Sequence, residues 1–175
     1  MSHTHQTIAH RRSSHPASAR RRRQPLRLDH VSPQVAALPI RRSDSGLEVL
    51  LVTSRETRRW IVPKGWPMKG RKDHAAAAQE AMEEAGIRGK VRKHPIGAYT
   101  YLKRLPDRTE TCRVMVYRLD VEAEETIWKE CAQREREWFT PREAAARVSE
   151  PALASLILAL ERDHERDIAL TSPAP

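Results

Sequence analysis

Residues 1–30 are His, Ser, Arg and Pro with almost no apolar side chains, and an apolar pattern starts only near Gln34. Val35-Ala36-Ala37-Leu38-Pro39-Ile40 predicts a strand, with Pro39 marking an edge or a bulge because it has no N–H to give a ladder. Ser43-Asp44-Ser45-Gly46 reads as a turn. Residues 47–53 predict a second strand, so rich in β-branched and apolar residues that both faces should be buried, and the two strands form a hairpin. Trp60-Ile61-Val62 is a third, short strand that stops at Pro63, and residues 63–72 read as a loop. Asp73 stands where an N-cap belongs and Gly86 where a left-handed C-terminal glycine belongs, with a helix over 74–85 between them. Beyond it, 91–102 and 112–121 read as strands joined by a loop at Leu105-Pro106-Asp107-Arg108, and Glu137-Trp138-Phe139 as a short strand. Thr140 caps a helix that opens at Pro141 and runs to about Val148. Pro151 opens the last helix, whose Leu153, Leu156, Ile157 and Leu160 recur at helical spacing as a core stripe, with fraying expected from about Ile168. The order β-β-β-α-β-β-β-α-α predicts an α/β (α+β) domain in which helices cover a mixed sheet.

Composition changes this picture in two places. Aromatic residues make up 5% of the 175, so the core must lean on Val, Leu, Ile and Ala. The net charge of +9 lies mostly in the first 30 residues, where Arg11, Arg12, Arg20, Arg21, Arg22, Arg23 and Arg27 face Asp29 alone. The basic balance therefore describes a tail, expected to be disordered because it cannot bury enough surface to offset its ordering entropy. His3, His5, His10 and His15 are spaced too irregularly for a metal site and read as solvated, while Arg20 to Arg23 read first as a solvated charged arm and second as a contact for RNA or an anionic surface. No apolar run approaches the roughly 18 residues that span a bilayer, and the N-terminus has no secretory apolar core, so no membrane partner is expected. An Arg/Ser-rich start without acids also fits a transit peptide, which ranks below a plain disordered arm. Cys112 and Cys131 form neither a disulfide framework nor a metal-ligand pattern, which points to a reducing, cytoplasmic setting with both as small buried apolar residues.

The chemistry concentrates in the helix AAAAQEAMEEAG, residues 75–86. At 100° per residue, Glu84 falls about 40° to one side of Glu80 and Glu83 about 60° to the other, so three carboxylates share one face. Ala75, Ala78, Met82 and Ala85 lie opposite, as the face that packs, while Ala76 and Ala77 leave the acidic face uncrowded. Like charges one turn apart repel by roughly a few tenths of a kcal/mol per exposed pair. These also lie toward the C-terminal half, where the helix dipole disfavours anions. A hard divalent cation with oxygen ligands, Mg²⁺ or Mn²⁺, resolves that conflict, against the alternative of a solvated acidic face.

From Gly65 to Ile87 the chain resembles the Nudix hydrolase signature, Gly-x5-Glu-x7-Arg-Glu-apolar-x-Glu-Glu-x-Gly-apolar. Gly65, Glu80, Ala81, Glu83, Glu84, Gly86 and Ile87 match with complete spacing. Arg71 stands where the signature has Glu, and Gln79 where it has Arg. In the family these two commonly pair across the loop–helix corner, and here both are changed, so neither is an orphan charge. Residues 50–55, 59–65 and 136–139 look like the diphosphoinositol-polyphosphate and diadenosine-polyphosphate branch, and the similarity covers roughly 34–148. The resemblance implies a Nudix-like α/β/α sandwich around a central mixed sheet, over residues 31–165, followed by a frayed end at 166–175. It implies metal ligation by Glu80, Glu83 and Glu84, with Glu83 or Glu84 as general base.

Arg55, Arg58, Arg59, Lys64, Lys69, Arg71 and Lys72 surround the approach to this helix, against Glu56 alone. Arg55, Lys64, Gly65, Lys69, Arg71 and Lys72 are the expected substrate-binding residues, and their charge points to a phosphate-rich small molecule. Trp60, Trp66, Tyr99 and Tyr101 are expected to pack or to anchor the loop, and Glu137 is a weaker candidate for a further carboxylate near the site. The expected activity is hydrolysis of a phosphoanhydride in a dinucleoside polyphosphate or a diphosphoinositol polyphosphate. Pyrophosphate removal from RNA 5′ ends, and non-catalytic sensing of phosphorylated ligands, are the alternatives.

Overall fold

The computed structural model describes residues 31–44 and 46–171, with side chains described through Arg162. The basic arm expected over 1–30 lies outside the described residues, as do residues 172–175, whereas the last helix continues through Thr171, past the expected onset of fraying at Ile168. The elements in chain order are β1 (Val31–Ser43), β2 (Gly46–Thr53), β3 (Trp60–Ile61), β4 (Lys64–Gly65), α1 (Asp73–Ala85), β5 (Ile87–Val91), β6 (Gly97–Arg104), β7 (Thr109–Glu124), β8 (Arg136–Phe139), α2 (Pro141–Arg147) and α3 (Pro151–Thr171).

The eight strands form one mixed sheet with the path β3-β2-β1-β7-β5, while β4 pairs with β1, β6 with β7 and β8 with β2. Its two faces carry separate cores. Alternation along β1 and β2 sends Val35, Ala37, Leu50 and Val52 to the face under α1, where Ala76, Ala77, Ala81 and Ala85 close the layer. It sends Ala36, Leu38, Val49 and Leu51 to the other face, against Ala144 of α2 and Leu153 and Ile157 of α3. The expected α/β/α sandwich, with β2 buried on both faces, is what the chain forms.

Several local expectations need correction. β1 is an interior strand, parallel to β7 from Val31↔Thr111 to Ile40↔Asp120, so Pro39 marks no edge. On the opposite flank β1 changes neighbours, pairing with β4 at Val35 and Ala36 and with β2 only from Ile40 onward. Ala37 N–H points to this flank and donates to Pro63 O at 3.0 Å, and the two-residue alternation puts the Pro39 nitrogen there too. Pro39 therefore sits in the changeover, where no strand asks for an N–H.

The expected loop 63–72 contributes β4. The expected strand over 91–102 begins only at Gly97, as β6, and Val91 instead ends a separate strand, β5; the 16-residue β7 is long enough to take both along one flank. Lys72, not Asp73, is the N-cap, and makes no side-chain cap bond; Asp73 lies inside the first turn, facing the positive end of the dipole. Gly86 ends α1 in the left-handed region at φ 64°, and its N–H reaches Ala81 O and Met82 O, as its position predicts. At α2 the expected Thr140 cap is a full capping box with Glu143.

The packing face of α1 is also rotated from the expected one. Ala76, Ala77, Ala81, Glu84 and Ala85 are buried, whereas Met82 is exposed and Ala75 and Ala78 are half-buried. The sheet takes the side of the helix that includes Glu84, so the carboxylates border the core instead of opposing it. Cys112 is buried as expected, but Cys131 is exposed.

Candidate functional site

A cleft of about 820 Å³ opens between α1, β4, β6 and the segments around residues 55–59 and 130–134. Gly65 and Glu80 meet at its floor. A Cβ on Gly65 would collide with the Glu80 carboxylate, so glycine is what lets β4 run this close beneath α1. Glu80 is half-buried, and burial first, then the neighbouring charges of Glu84 and Glu83, push its pKa up to about 7.

Glu84, at 7% exposure, is the most enclosed of the three carboxylates. One oxygen pairs with Nη2 of Arg134, and the other accepts the Lys64 backbone N–H at 3.0 Å. Burial pushes its pKa up, opposed by Arg134 and by that N–H. Glu83 points elsewhere. It is bonded to Lys129 Nζ and accepts from Gln79 Nε2 at 2.8 Å, hydrogen bonds that hold its carboxyl below the usual range. Arg71 Nη1 in turn donates to Gln79 Oε1 at 3.1 Å. The two residues that depart from the signature thus meet through a hydrogen bond, and the corner is rebuilt around it.

The three carboxylates share a helix face, as the spacing predicts, but only Glu80 and Glu84 line the cleft. Among the described residues no three carboxylate, imidazole or thiol groups already converge as a closed ion cage. The donor set nevertheless fits a hard cation. It is all oxygen, and Glu80 is crowded by like charge from Glu84, Glu83 and Glu130. Glu83 is tied to an ammonium that is 66% exposed and exchanges with water at little cost.

Of the basic residues expected to bind substrate, Arg55 and Lys64 line the cleft together with Gly65. Lys69, Arg71 and Lys72 do not; they are exposed on the approach to α1. Lys64 Nζ donates to Tyr101 Oη at 3.1 Å, and Tyr101 donates to Gln34 Oε1 at 2.8 Å, so a partly buried chain of polar groups fixes the ammonium. Burial lowers the Lys64 pKa, against the pull of Glu84. Trp60 packs edge-to-face on Phe139 at 5.1 Å, as expected of an anchor. Trp66 is 44% exposed on the cleft wall, with Lys103 Nζ 4.8 Å from its ring centre. Glu137 is exposed on β8, away from the cleft lining.

Sequence reasoning missed Glu130, Arg134, Lys103 and Arg104, all of which line the cleft. Three of these left a signal. Tyr99, Tyr101 and Lys103 alternate along one strand, which puts all three on one side. Glu130 and Arg134 are four apart, the spacing of one helical turn, and they pair at 2.5 Å.

A family model described as a NUDIX domain matches residues 31–160. Over 107 residues the chain is 31% identical to "Nudix hydrolase 13, mitochondrial" of Arabidopsis thaliana, covering 58% of this chain and 53% of that protein. Over 106 residues it is 37% identical to "Diphosphoinositol polyphosphate phosphohydrolase 2" of Rattus norvegicus, covering 59% and 55%. The chain thus spans about half the length of these curated relatives. Among solved structures, a C. elegans Ap4A hydrolase aligns with a TM-score of 0.56 at 17% identity, over 75% of this chain and 97% of that one. The NUDIX domain of Shewanella oneidensis NrtR, complexed with ADP ribose, aligns with a TM-score of 0.57 at 14% identity, over 79% and 92%. At such identities these likenesses speak for the fold.

Proposed function

The chain belongs to the Nudix family, and from that premise we propose that it is a Mg²⁺-dependent pyrophosphohydrolase acting on a phosphate-rich small molecule, a diphosphoinositol polyphosphate or a dinucleoside polyphosphate. The observation that carries this reading is charge of both signs gathered in one cleft. Glu80, Glu84 and Glu130 line it together with Lys64, Lys103 and Arg104, and those three basic residues have no acidic ion-pair partner among the described residues. The diphosphoinositol polyphosphate phosphohydrolases among the relatives support the same substrate class.

In this reading Glu80 and Glu84 would hold the cation, with Glu83 as the third carboxylate if it exchanged its bond to Lys129 for the ion. A bound Mg²⁺ or Mn²⁺ supplies neutralisation of phosphoryl charge and a more acidic water. Lys64, fixed by Tyr101, grips the phosphate nearest the carboxylates, while Lys103 and Arg104 take phosphates further out, with Arg55 at the rim. One of Glu83 and Glu84 removes the proton of the attacking water. Lys69, Arg71 and Lys72 act on approach only, by attracting the anion.

The test is phosphate release across a panel of diphosphoinositols, dinucleoside polyphosphates, sugar nucleotides and triphosphorylated RNA, with and without Mg²⁺. Turnover that needs the ion, and that falls by about 10³-fold or more in Glu84→Gln, supports the proposal. Ligand binding without turnover would replace it with the sensor reading. Preference for triphosphorylated RNA, lost when residues 1–30 are deleted, would move it to RNA ends.

Among the described residues no helix is long and apolar enough to cross a membrane. Both cysteines are unpaired, which supports the cytoplasm as the proposed setting; several plant relatives carry mitochondrial names, and cell fractionation separates the two.

A further inference from the structure

Arg134 lies outside the signature, yet among the described residues its guanidinium is the side-chain group that bonds the Glu84 carboxylate. Its side chain is 5% exposed. Each nitrogen has its own acceptor: Nη2 meets Glu84 Oε1, Nε meets Glu130 Oε2 at 2.5 Å, and Nη1 donates to Thr53 O at 2.9 Å. One planar group thus ties α1 to the end of β2 and to its own turn. The remaining Glu84 oxygen is held by the Lys64 N–H. A carboxylate has about four lone-pair sites. Two fixed donors therefore set the orientation of Glu84 without exhausting its capacity to bind an ion.

Other contacts already dock the segment that carries Arg134. Glu125 N–H donates to Gly86 O at 2.8 Å, Glu130 N–H to Glu83 O at 3.2 Å, Trp128 Nε1 to Glu84 O at 3.0 Å, and Arg136 Nη1 to Ala85 O at 2.5 Å. Four hydrogen bonds besides those of the guanidinium thus hold that segment on the helix. Nor does the signature arginine position supply a charge here, because it is Gln79, which turns to Glu83 instead. Of the side chains that bond the three carboxylates, Arg134 alone bonds Glu84 and is itself buried.

Resting on the metal-dependent reading above, the geometry points to Arg134 as a positioning residue that clamps Glu84 in the orientation in which it receives the cation. The clamp depends on the fork of the guanidinium. A lysine ammonium is a point charge on a flexible stem and cannot hold three acceptors in fixed directions.

The test measures Mn²⁺ binding to the full chain without substrate, by titration calorimetry and by the paramagnetic resonance of free Mn²⁺, in wild type, Arg134→Lys and Arg134→Gln. Both variants should bind Mn²⁺ more weakly by about 10–100-fold, the usual effect of losing a partner that orients a metal ligand. In both, kcat should fall more than tenfold while KM for a diphosphoinositol changes little, because Arg134 grips no phosphate. Should Arg134→Gln fail to fold, Arg134→Lys decides alone, since it keeps a cation among the buried carboxylates. Unchanged or tighter Mn²⁺ binding in folded Arg134→Lys would overturn the clamp and make Arg134 a mere counter-charge or a competitor for the ion. If wild type itself binds no Mn²⁺, the metal-dependent reading falls, and the clamp with it.

Discussion

Replacing Glu80 with Gln removes one of several mutually repelling carboxylates while keeping the shape of the side chain. Without a divalent cation, the Glu80 carboxyl titrates at about 7 instead of 4.5, because burial and then Glu84 and Glu83 oppose its charge. A gap of about 2.5 pH units corresponds to about 3.4 kcal/mol. Glu80 is only half-buried, and screening by solvent reduces this to about 1–2 kcal/mol. The sign follows from proton binding. Below about pH 4.5 the group is protonated in both folded and unfolded chains and costs nothing. As pH rises toward 7 the unfolded chain ionises first, so the folded state loses stability, and above about pH 7 the full cost is present. In chelator, Glu80→Gln should therefore melt with wild type at about pH 4 and about 3–6 °C above it at pH 8, by calorimetry or circular dichroism. Saturating Mg²⁺ should narrow the difference at pH 8, because the ion stabilises the chain that binds it better. The same variant should lose most of its hydrolytic turnover. A melting difference that stays constant between those pH values, or a variant less stable than wild type at pH 8, would refute the claim that Glu80 is held under electrostatic load.

Gly65→Ala should cost only about 1 kcal/mol, since the colliding atoms are the free end of the Glu80 side chain, yet it should displace that carboxylate and weaken Mn²⁺ binding by at least about tenfold, read by titration calorimetry. Lys103→Ala with Arg104→Ala should raise KM for the most highly phosphorylated substrates and flatten its dependence on salt, with little change in kcat, measured by steady-state kinetics at several ionic strengths. Thr140→Ala removes one arm of the capping box and should lower stability by about 1 kcal/mol in denaturant unfolding, with no effect on KM.

Much of the domain was legible because its signals are local. Continuous apolar runs gave β1 and β2, Gly86 closed α1, and Thr140-Pro141 opened α2. The signature placed Glu80, Glu83 and Glu84 on one helix face by spacing alone. What escaped depends on contacts between distant parts of the chain. β4 is two residues that pair only because β1 runs beside them. The division of 91–102 follows from the length of β7, which no window within that stretch contains. The packing face of α1 was misread because a hydrophobicity count treats Glu84 as a surface residue. In the folded chain Arg134, 50 positions later, makes its burial tolerable. Lys69 and Lys72 were expected in the site because they are near it in sequence, whereas Lys103 and Arg104 reach it through the register of β6 on β7.

The parallel ladder between β1 and β7 joins residues about 80 positions apart, a separation that makes closure slow relative to local hairpins. During synthesis the chain emerges N-terminus first, so β1 spends the time needed to make 70 or so further residues with one flank lacking its final neighbour. An apolar strand waiting in that condition is a template for pairing with other nascent chains. Production should thus be more sensitive to temperature and to chaperone supply than the stability of the finished domain would indicate, and truncations that stop short of residue 120 should aggregate outright.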